Sequence, residues 1–362
     1  MDFGLSDDQK LLEETVRGFL SGTVPIERVR ELRDLDCPND RATWTALAEL
    51  GATGVLVPER FGGSDLSLLD ACLISQSLGH AVTPTPFLSS AVIVPVVLRE
   101  IESPRVEAWL RGIALGELVV AAAVTELFAR REGAGVRLGE AGLEGKAMMA
   151  LDACGADLVM LALDDERVAL VDARAEGLAT ERLVTIDRTR CTAELVFDGV
   201  APEAVFEHAA GPIARGLDAG RIALAADVVG ACESMIDQAV RYAGQRKQFD
   251  RVIGSFQAVK HMCAEMIAEL EPTRSLLWYA AHSFDAMPGE TPLLASHLLA
   301  HASEIGREIA SVSTQVHGGI GWTDEQNLHF WFKRIGAARH LLGGPESLRE
   351  RAARLQAFDV AS

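Results

Sequence analysis

The chain is organised around the stretch Gln315-Val-His-Gly-Gly-Ile-Gly-Trp-Thr-Asp-Glu325. Its three glycines stand between a long apolar helical pattern and an aromatic segment. Glycine has no Cβ, so main-chain N–H groups here can lie directly against a planar or phosphorylated ligand, with a carboxylate close behind. The same letters also suit a helix that ends in a left-handed glycine cap and reopens after a loop. The rest of the chain decides between these two interpretations.

Composition and charge limit the class of protein. With 362 residues, 49% of them hydrophobic, the chain is long enough for two or three globular domains. The net charge of −18 argues against a nucleic-acid partner or an anionic membrane surface. No apolar run reaches the ~18 residues of a membrane span, and the N-terminus lacks the pattern of a signal peptide. The six cysteines have no Cys-x-x-Cys spacing and are expected to be reduced thiols. We therefore expect a cytoplasmic protein.

Hydrophobic periodicity divides the chain into three parts. The N-terminal part is helical, beginning at the capping pattern Ser6-Asp-Asp-Gln9. Short apolar runs separated by Asp, Glu and Gly follow, which is typical of strands. Long helical patterns then return, at Gly216–Gln245, Phe256–Met287, Pro292–His317 and Ser347–Leu355. The predicted fold is mainly α with a β domain: an N-terminal helical domain (1–118), a middle β-barrel-like domain (119–206) and a C-terminal four-helix bundle (207–362).

Three motifs, in this order and on this domain pattern, resemble the acyl-CoA dehydrogenase family over nearly the whole chain. They are Pro58-Glu-Arg-Phe-Gly-Gly63, the segment Arg246-Lys-Gln-Phe249 with Ile253-Gly-Ser-Phe-Gln-Ala-Val-Lys-His261, and Gln315–Gly321 with Glu325. The resemblance implies FAD bound between the β domain and the bundle, with its adenosine half reaching a neighbouring subunit. It implies oxidation of an acyl-CoA to the trans-2-enoyl thioester, an electron-transfer flavoprotein as acceptor, and a homo- or hetero-oligomer, dimeric or tetrameric.

The reaction needs a base for the α-proton of the thioester, and a carboxylate in a water-poor pocket is suitable because desolvation raises its basicity. In the family this base often follows the glycine turn, which corresponds to Glu325. Other members carry it on the first long bundle helix, where this chain has Gly220. Asp227 lies about two helical turns beyond Gly220 on the same face and is the second candidate base; otherwise it is a paired structural acid. For Glu325 the alternative is a solvated surface acid beside Asp324.

The resemblance also assigns binding residues. Arg246 resembles the arginine that meets the FAD pyrophosphate across the dimer, a role that suits a bidentate guanidinium. The residues matching accompanying positions are Gln248, Phe249 and Gln257 on the adenosine side, Gln315, Gly318 and Gly319 on the facing loop, and Thr125 in the β domain. Asp218 and Arg221 resemble a pair on the CoA side. For Arg246 the alternative is a charge at a helix C-terminus, and for Asp218 and Arg221 it is polar residues at a helix start.

The middle segment departs from the family pattern. Val124-Thr-Glu126 is followed by Leu127-Phe-Ala-Arg-Arg-Glu-Gly-Ala-Gly135, without the expected Gly-Ser-Asp, and a second flavin-side motif with Trp is missing near 145–149. Two explanations are open: an active enzyme with an altered cleft, or a non-catalytic or partner-dependent subunit of a heteromeric enzyme. An oxygen-using oxidase is a third option. The amino-acid sequence of the glycine turn resembles that of the family branch that acts on steroid-type or other bulky acyl-CoA thioesters.

Overall fold

A computed structural model describes residues 4–129, 131–164 and 166–358. It is 56% helical, with helices at both ends of the chain and a sheet between them, which confirms the predicted fold class. The helices are α1 (Asp7–Thr23), α2 (Ile26–Arg33), α3 (Arg41–Glu49), α4 (Leu68–His80), α5 (Val94–Leu98), α6 (Pro104–Ala114), α7 (Ala210–Gln245), α8 (Gln257–Ala286), α9 (Thr291–His317), α10 (His329–Ala338) and α11 (Pro345–Leu355). The strands are β1 (Val120–Ala123), β2 (Gly135–Gly139), β3 (Gly142–Leu151), β4 (Leu158–Ala162), β5 (Val168–Asp172), β6 (Leu178–Arg182), β7 (Thr192–Val200), β8 (Ala204–Phe206), β9 (Lys247–Gln248) and β10 (Arg251–Val252).

Contacts group these elements into two compact units. The first contains residues 1–27, 72–83 and 224–362, and the second contains 28–71 and 84–223. Helix gives way to strand between Ala114 and Val120, and strand to helix between Phe206 and Ala210, close to the boundaries expected from periodicity. The division into three domains remains a prediction, because the contacts follow a different grouping.

The second unit is built on an eight-stranded sheet with the order β6-β7-β3-β1-β4-β5-β8, and β2 pairs with β3. The pairs are antiparallel except β1 with β4, which are parallel over Val120–Ala123 and Leu158–Leu161. Strand β1 is buried throughout, as expected for an apolar run at the centre of a sheet. The β3–β7 pairing shifts register between Ala147 and Ala150, where Met149 has φ of 55°.

The motif Pro58–Gly63 has a packing explanation inside this unit. Glu59–Phe61 form one turn of 3-10 helix, and Gly62 ends it in the left-handed region at φ 85°. A Cβ at Gly63 would overlap the carbonyl of Val57. Both glycines are therefore needed by the backbone, without any ligand.

The cysteine prediction is wrong for one pair. Cys154 and Cys191 are joined by a disulfide, with Cα atoms 6.1 Å apart, while the remaining cysteines of the sequence are free. Cys154 lies between β3 and β4 and Cys191 lies just before β7, so the sheet brings together two residues separated by 37 positions. Spacing along the chain gave no indication of this neighbourhood.

In the first unit, α9 is the central helix and contacts α8, α10 and α11. It also packs closely on α7, because a Cβ at Gly306 would come within 2.9 Å of Val228 Cγ1 and 3.0 Å of Ile335 Cγ2 of α10. Helix α10 and the β9–β10 hairpin were not predicted; α10 is short and rich in aromatic residues, and the hairpin strands have two residues each. Helix α1 joins the unit through Arg17, which donates to both carboxylate oxygens of Glu233 on α7 at 3.1 and 2.8 Å. Among the described residues no helix is long and apolar enough to cross a membrane.

Candidate active site

The stretch Gln315–Glu325 forms the end of α9 and the connection to α10. Helix α9 ends at His317, Gly318–Trp322 continue as a 3-10 helix, and turns lead to α10. Gly318 has φ 66° and ψ −145°, a conformation open essentially to glycine. Gly321 is required by packing, since a Cβ there would lie 2.9 Å from the carbonyl oxygen of Thr314.

Gly319 differs from the other two glycines of this turn. Its φ is not positive, and within the described part of the chain no atom beyond its two sequence neighbours lies within 4 Å of a Cβ built on it. Gln315, Gly318 and Gly319 are all exposed. Neither the backbone nor the packing of this chain accounts for glycine at 319, which is the pattern expected where a backbone faces a ligand or another subunit.

The predicted adenosine-side residues are grouped at the end of α7 and the start of α8. Arg246 follows α7, and its exposed side chain makes no ion pair or hydrogen bond with any described residue. The β9–β10 hairpin then presents Gln248 and Phe249, and Phe249 is 86% exposed at φ 54°. Phe249 meets the ring of Phe256 edge-on at 6.1 Å, and Gln257, the first residue of α8, contacts His261 at 2.9 Å.

The ends of α7 and α9 meet through a stacked pair. The rings of Tyr242 and His317 are 4.7 Å apart and nearly parallel, with an interplanar angle of 26°. Tyr242 lies one turn before Arg246, and His317 directly precedes Gly318. The structure thus brings the arginine segment and the glycine turn to neighbouring helix ends within one compact unit.

The sequence predicts no role for His317, although the residue belongs to the same motif. It is 3% exposed; its Nδ1 lies 2.8 Å from the carbonyl oxygen of Ser313, and its Nε2 is buried without a hydrogen-bond partner among the described residues. The carbonyl requires Nδ1 to carry the proton, so Nε2 is an acceptor in the neutral ring. Burial lowers the pKa of His317. The position of this histidine directly before the double glycine was the feature of the sequence that could have identified it as a residue of the site.

Glu325 lies on the turns between the 3-10 helix and α10. Its side chain is exposed and forms no ion pair or hydrogen bond with the described residues. The neighbouring Asp324 differs, because its Oδ1 lies 2.8 Å from Nε2 of His329, the first residue of α10. Thr323 donates its hydroxyl to the carbonyl oxygen of Ile320 at 2.8 Å. Contacts of Thr323 and Asp324 thus hold the loop on the N-terminal side of Glu325 and to the start of α10. The Glu325 carboxylate itself remains free to accept a proton.

Asp227 has a different environment. It is 3% exposed in α7, and both of its carboxylate oxygens accept hydrogen bonds from Arg334 of α10, at 2.9 Å from Nε and 2.7 Å from Nη2. A carboxylate held in this way is stabilised as an anion and is a poor proton acceptor. The geometry therefore agrees with the paired structural acid that the sequence left open as the alternative role.

Asp218, Arg221 and Thr125 belong to the second compact unit. Arg221 Nη1 donates to Asp218 Oδ1 at 2.8 Å, and both side chains are 4% exposed. The Arg221 guanidinium lies 5.9 Å from the ring of Phe128, which follows the 3-10 turn Thr125–Leu127. The buried ion pair and the Thr125 turn are therefore neighbours within this unit.

The Thr125 turn is fastened to the irregular part of β3. Thr125 donates its hydroxyl to the carbonyl oxygen of Met149 at 3.2 Å, and the carboxylate of Glu126 accepts from the Met148 N–H at 2.7 Å. The two polar side chains kept from the family pattern thus stabilise the turn itself. The residues 145–149, where the family's second flavin-side motif would fall, supply the partners.

The comparisons with known proteins identify the class of protein. The family model for the acyl-CoA dehydrogenase N-terminal domain matches residues 6–117, and the model for the acyl-CoA dehydrogenase C-terminal domain matches residues 212–356. The chain belongs to the acyl-CoA dehydrogenase family, FAD-dependent oxidoreductases that act on CH–CH groups.

Particular relatives extend over the whole chain. Acyl-CoA dehydrogenase IpdE2 of Mycobacterium tuberculosis is 30% identical over 349 residues, which are 95% of this chain and 96% of the relative. The Tcur3481-Tcur3483 steroid ACAD has 27% identity and a TM-score of 0.86, covering 98% of this chain and 99% of its own. The ChsE4-ChsE5 complex of Mycobacterium tuberculosis shares the fold, at 24% identity and a TM-score of 0.88 over 99% of both chains.

The residues present fit FAD in part. An unpaired exposed guanidinium, side-chain amides, an exposed ring and a glycine turn match the chemistry of a dinucleotide with a pyrophosphate and an adenine. All of these lie in the first compact unit. On the flavin-ring side the second unit offers the hydroxyl of Thr125, whose proton is directed at Met149 and whose oxygen can still accept.

Proposed function

We propose that this acyl-CoA dehydrogenase oxidises a bulky, steroid-type acyl-CoA, with Glu325 as the base that removes the α-proton. The observation that carries the assignment of the base is the contrast between two carboxylates. Glu325 is unpaired on a loop fixed at both sides, whereas Asp227 is buried against Arg334. Only the first is able to accept a proton without breaking a buried ion pair.

In the proposed reaction, the Glu325 carboxylate takes the α-proton and becomes a carboxylic acid. FAD, when bound, would supply the hydride acceptor for the hydrogen that leaves Cβ, so that loss of the α-proton and the β-hydride would leave a trans double bond between Cα and Cβ. Thioester bound over the exposed Glu325 would exclude water from it, which raises the basicity of a carboxylate. An electron-transfer flavoprotein is the proposed electron acceptor.

The remaining residues are proposed to bind. Arg246 would pair with the pyrophosphate of FAD, because it is exposed, unpaired among the described residues, and stands at the position of the family's pyrophosphate arginine. Gln248, Phe249 and Gln257, with Gln315, Gly318 and Gly319, would contact its adenosine half. The Asp218–Arg221 pair would shape the CoA side, where its burial makes it a rigid wall.

The substrate class rests on two lines of support. The amino-acid sequence of the glycine turn resembles that of the steroid-type branch of the family. In addition, a relative of known structure with 27% identity is a steroid ACAD. The test is anaerobic titration of the yellow protein with a steroid side-chain CoA thioester and with octanoyl-CoA. Faster bleaching of the flavin absorbance by the steroid thioester is expected, and preferential bleaching by octanoyl-CoA would overturn the substrate assignment.

A partner-dependent subunit is the second candidate. It is favoured by the Thr125 turn, where Thr125 and Glu126 are bonded to β3, and by the ChsE4-ChsE5 complex among the structures with this fold. The two candidates differ in what the chain does alone. Protein purified alone that is yellow and bleaches with substrate supports the independent enzyme. Colourless protein that gains flavin and activity only when co-purified with a second family member supports the partner-dependent subunit.

A further inference from the structure

A cavity of about 590 Å³ lies inside the first compact unit, apart from every residue assigned above. It opens to the surface between α1, the start of α2, the end of α4, the C-terminal part of α7, and α10 with the loop before it. A cavity of this size falls in the range that holds small-molecule ligands in proteins.

The inner wall of this cavity is apolar and fixed. Leu20 on α1 and Val24, which follows α1, are buried behind the surface, and Trp331 on α10 is 7% exposed. Pro25, which is exposed, and Ile26, which is half-buried, add accessible apolar surface at the cavity. The indole N–H of Trp331 donates to the carbonyl oxygen of His80 at 2.8 Å, which fixes the plane of the ring. A preformed apolar wall of this kind favours a ligand with an aliphatic or flat apolar body.

The charged groups at the cavity differ in their availability. Arg17 is neutralised by Glu13 and Glu233, each within 2.8 Å of Nη2. Burial lowers the pKa of His80, whose Nε2 lies 3.8 Å from Asp237. Neither group has an unsatisfied positive charge to offer a ligand near neutral pH.

Arg241 is the available cation. It is exposed on α7 at the cavity, and no described residue pairs with it, even though Asp237 lies one turn away on the same helix. Its guanidinium can therefore bind a carboxylate with two parallel hydrogen bonds. Two neutral polar residues also line the cavity, and they are hydrogen-bonded to each other: Gln238 Nε2 donates to Ser234 Oγ at 3.3 Å.

We propose that this cavity is a second ligand site, which binds a small amphipathic carboxylic acid with its apolar body against Pro25, Ile26 and Trp331 and its carboxylate on Arg241. The site is independent of the FAD chemistry, so it can be tested on protein without substrate. If this proposal fails, the assignment of Glu325 as the base is unaffected, and the reverse also holds.

The test is calorimetric titration of the full chain with octanoate and with octanamide, its uncharged counterpart. Octanoate is expected to bind about tenfold more tightly, the effect of one charge-assisted contact. Arg241→Gln should remove this difference without changing octanamide binding. Arg307→Gln on α9, an exposed arginine outside the cavity, is the matched control and should bind octanoate like the wild type.

A further variant locates the ligand. Ser21→Trp, at the exposed rim, should block both probes. Octanoate binding that persists in both Arg241→Gln and Ser21→Trp would place the acid elsewhere and overturn the proposal. Equal affinity for octanoate and octanamide in the wild type would overturn it as well.

Discussion

At the scale of single residues, Glu325 and Asp227 differ in surroundings rather than in chemistry. One is exposed and unpaired, and the other is enclosed with Arg334. The proton affinity of a carboxylate depends on the groups around it. The tertiary structure therefore distinguishes two candidate bases that are both plain carboxylates in the sequence.

Glu325→Gln is expected to lower the rate of flavin bleaching by acyl-CoA by a factor of at least ~100, because loss of a general base typically costs 10²–10⁴-fold. The FAD absorbance should be unchanged, since the predicted cofactor residues are untouched. Stopped-flow absorbance of the variant provides the measurement. Asp324→Asn, in the same loop, is the control and should retain at least a tenth of the rate; wild-type bleaching in Glu325→Gln would remove this residue as the base.

Asp227→Asn is expected to destabilise the fold by about 3 kcal/mol, because it leaves the buried Arg334 without its anionic partner. Chemical denaturation followed by circular dichroism would measure the loss. The double variant Asp227→Leu with Arg334→Met should recover part of it, since both charges are then removed. A single variant of unchanged stability that no longer bleaches would instead identify Asp227 as the base.

At the scale of elements, helices α4 and α7 approach closely inside the first compact unit. A Cβ at Gly79 would overlap the carbonyl of Asp227, and a Cβ at Gly230 would overlap the carbonyl of Gln76. The two contacts are reciprocal, each helix placing a glycine against the backbone of the other. This approach sets the position of Asp227 in α7.

Gly79→Ala or Gly230→Ala should each cost about 2–3 kcal/mol of unfolding free energy, because the helices must separate to admit the methyl group. Gly244→Ala is the matched control in α7: no atom lies within 4 Å of its Cβ, and alanine should stabilise the helix by up to about 1 kcal/mol. Thermal or urea unfolding gives all three values. Similar effects at Gly79 and Gly244 would contradict the packing explanation.

The long elements were predictable because each carries its own signal. The capping box of Ser6 and Gln9 begins α1, and the patterns predicted from Phe256 and Pro292 match α8 and α9 to within one residue at each end. The pattern from Gly216 ends with α7 at Gln245 but misses its first six residues, which begin at Ala210. The β9–β10 hairpin and the π form of the helical segment Phe87–Ile93 were not predicted, since their geometry depends on neighbours rather than on periodicity.

At the scale of the whole molecule, two histidines of the first unit link stability to pH. Burial lowers the pKa of both His80 and His317 below the ordinary value of 6.5. The unfolded chain therefore binds protons more readily than the folded chain in the window below pH 6.5. Their contribution to stability is complete above pH 6.5 and is lost as the pH falls from 6.5 through the lowered folded pKa values.

His317→Phe should make the unfolding free energy less sensitive to pH between 6.5 and 5, since phenylalanine keeps the ring against Tyr242 but does not titrate. Urea unfolding at a series of pH values compares its slope with that of the wild type. His297→Phe, at an exposed position on α9, is the control and should leave the slope unchanged. Equal slopes for wild type and His317→Phe would contradict the lowered pKa.

The sequence by itself determined the family and the order of helical and β segments, because motifs and periodicity are local properties of the chain. Tertiary structure alone decided that Asp227 pairs with Arg334, that Cys154 joins Cys191, and that a cavity lies beside Arg241. Each of these joins residues far apart in the chain. The burial of a residue, its hydrogen-bond partners and the free space beside it depend on which residues folding places next to it. The spacing of residues along the sequence does not contain this information.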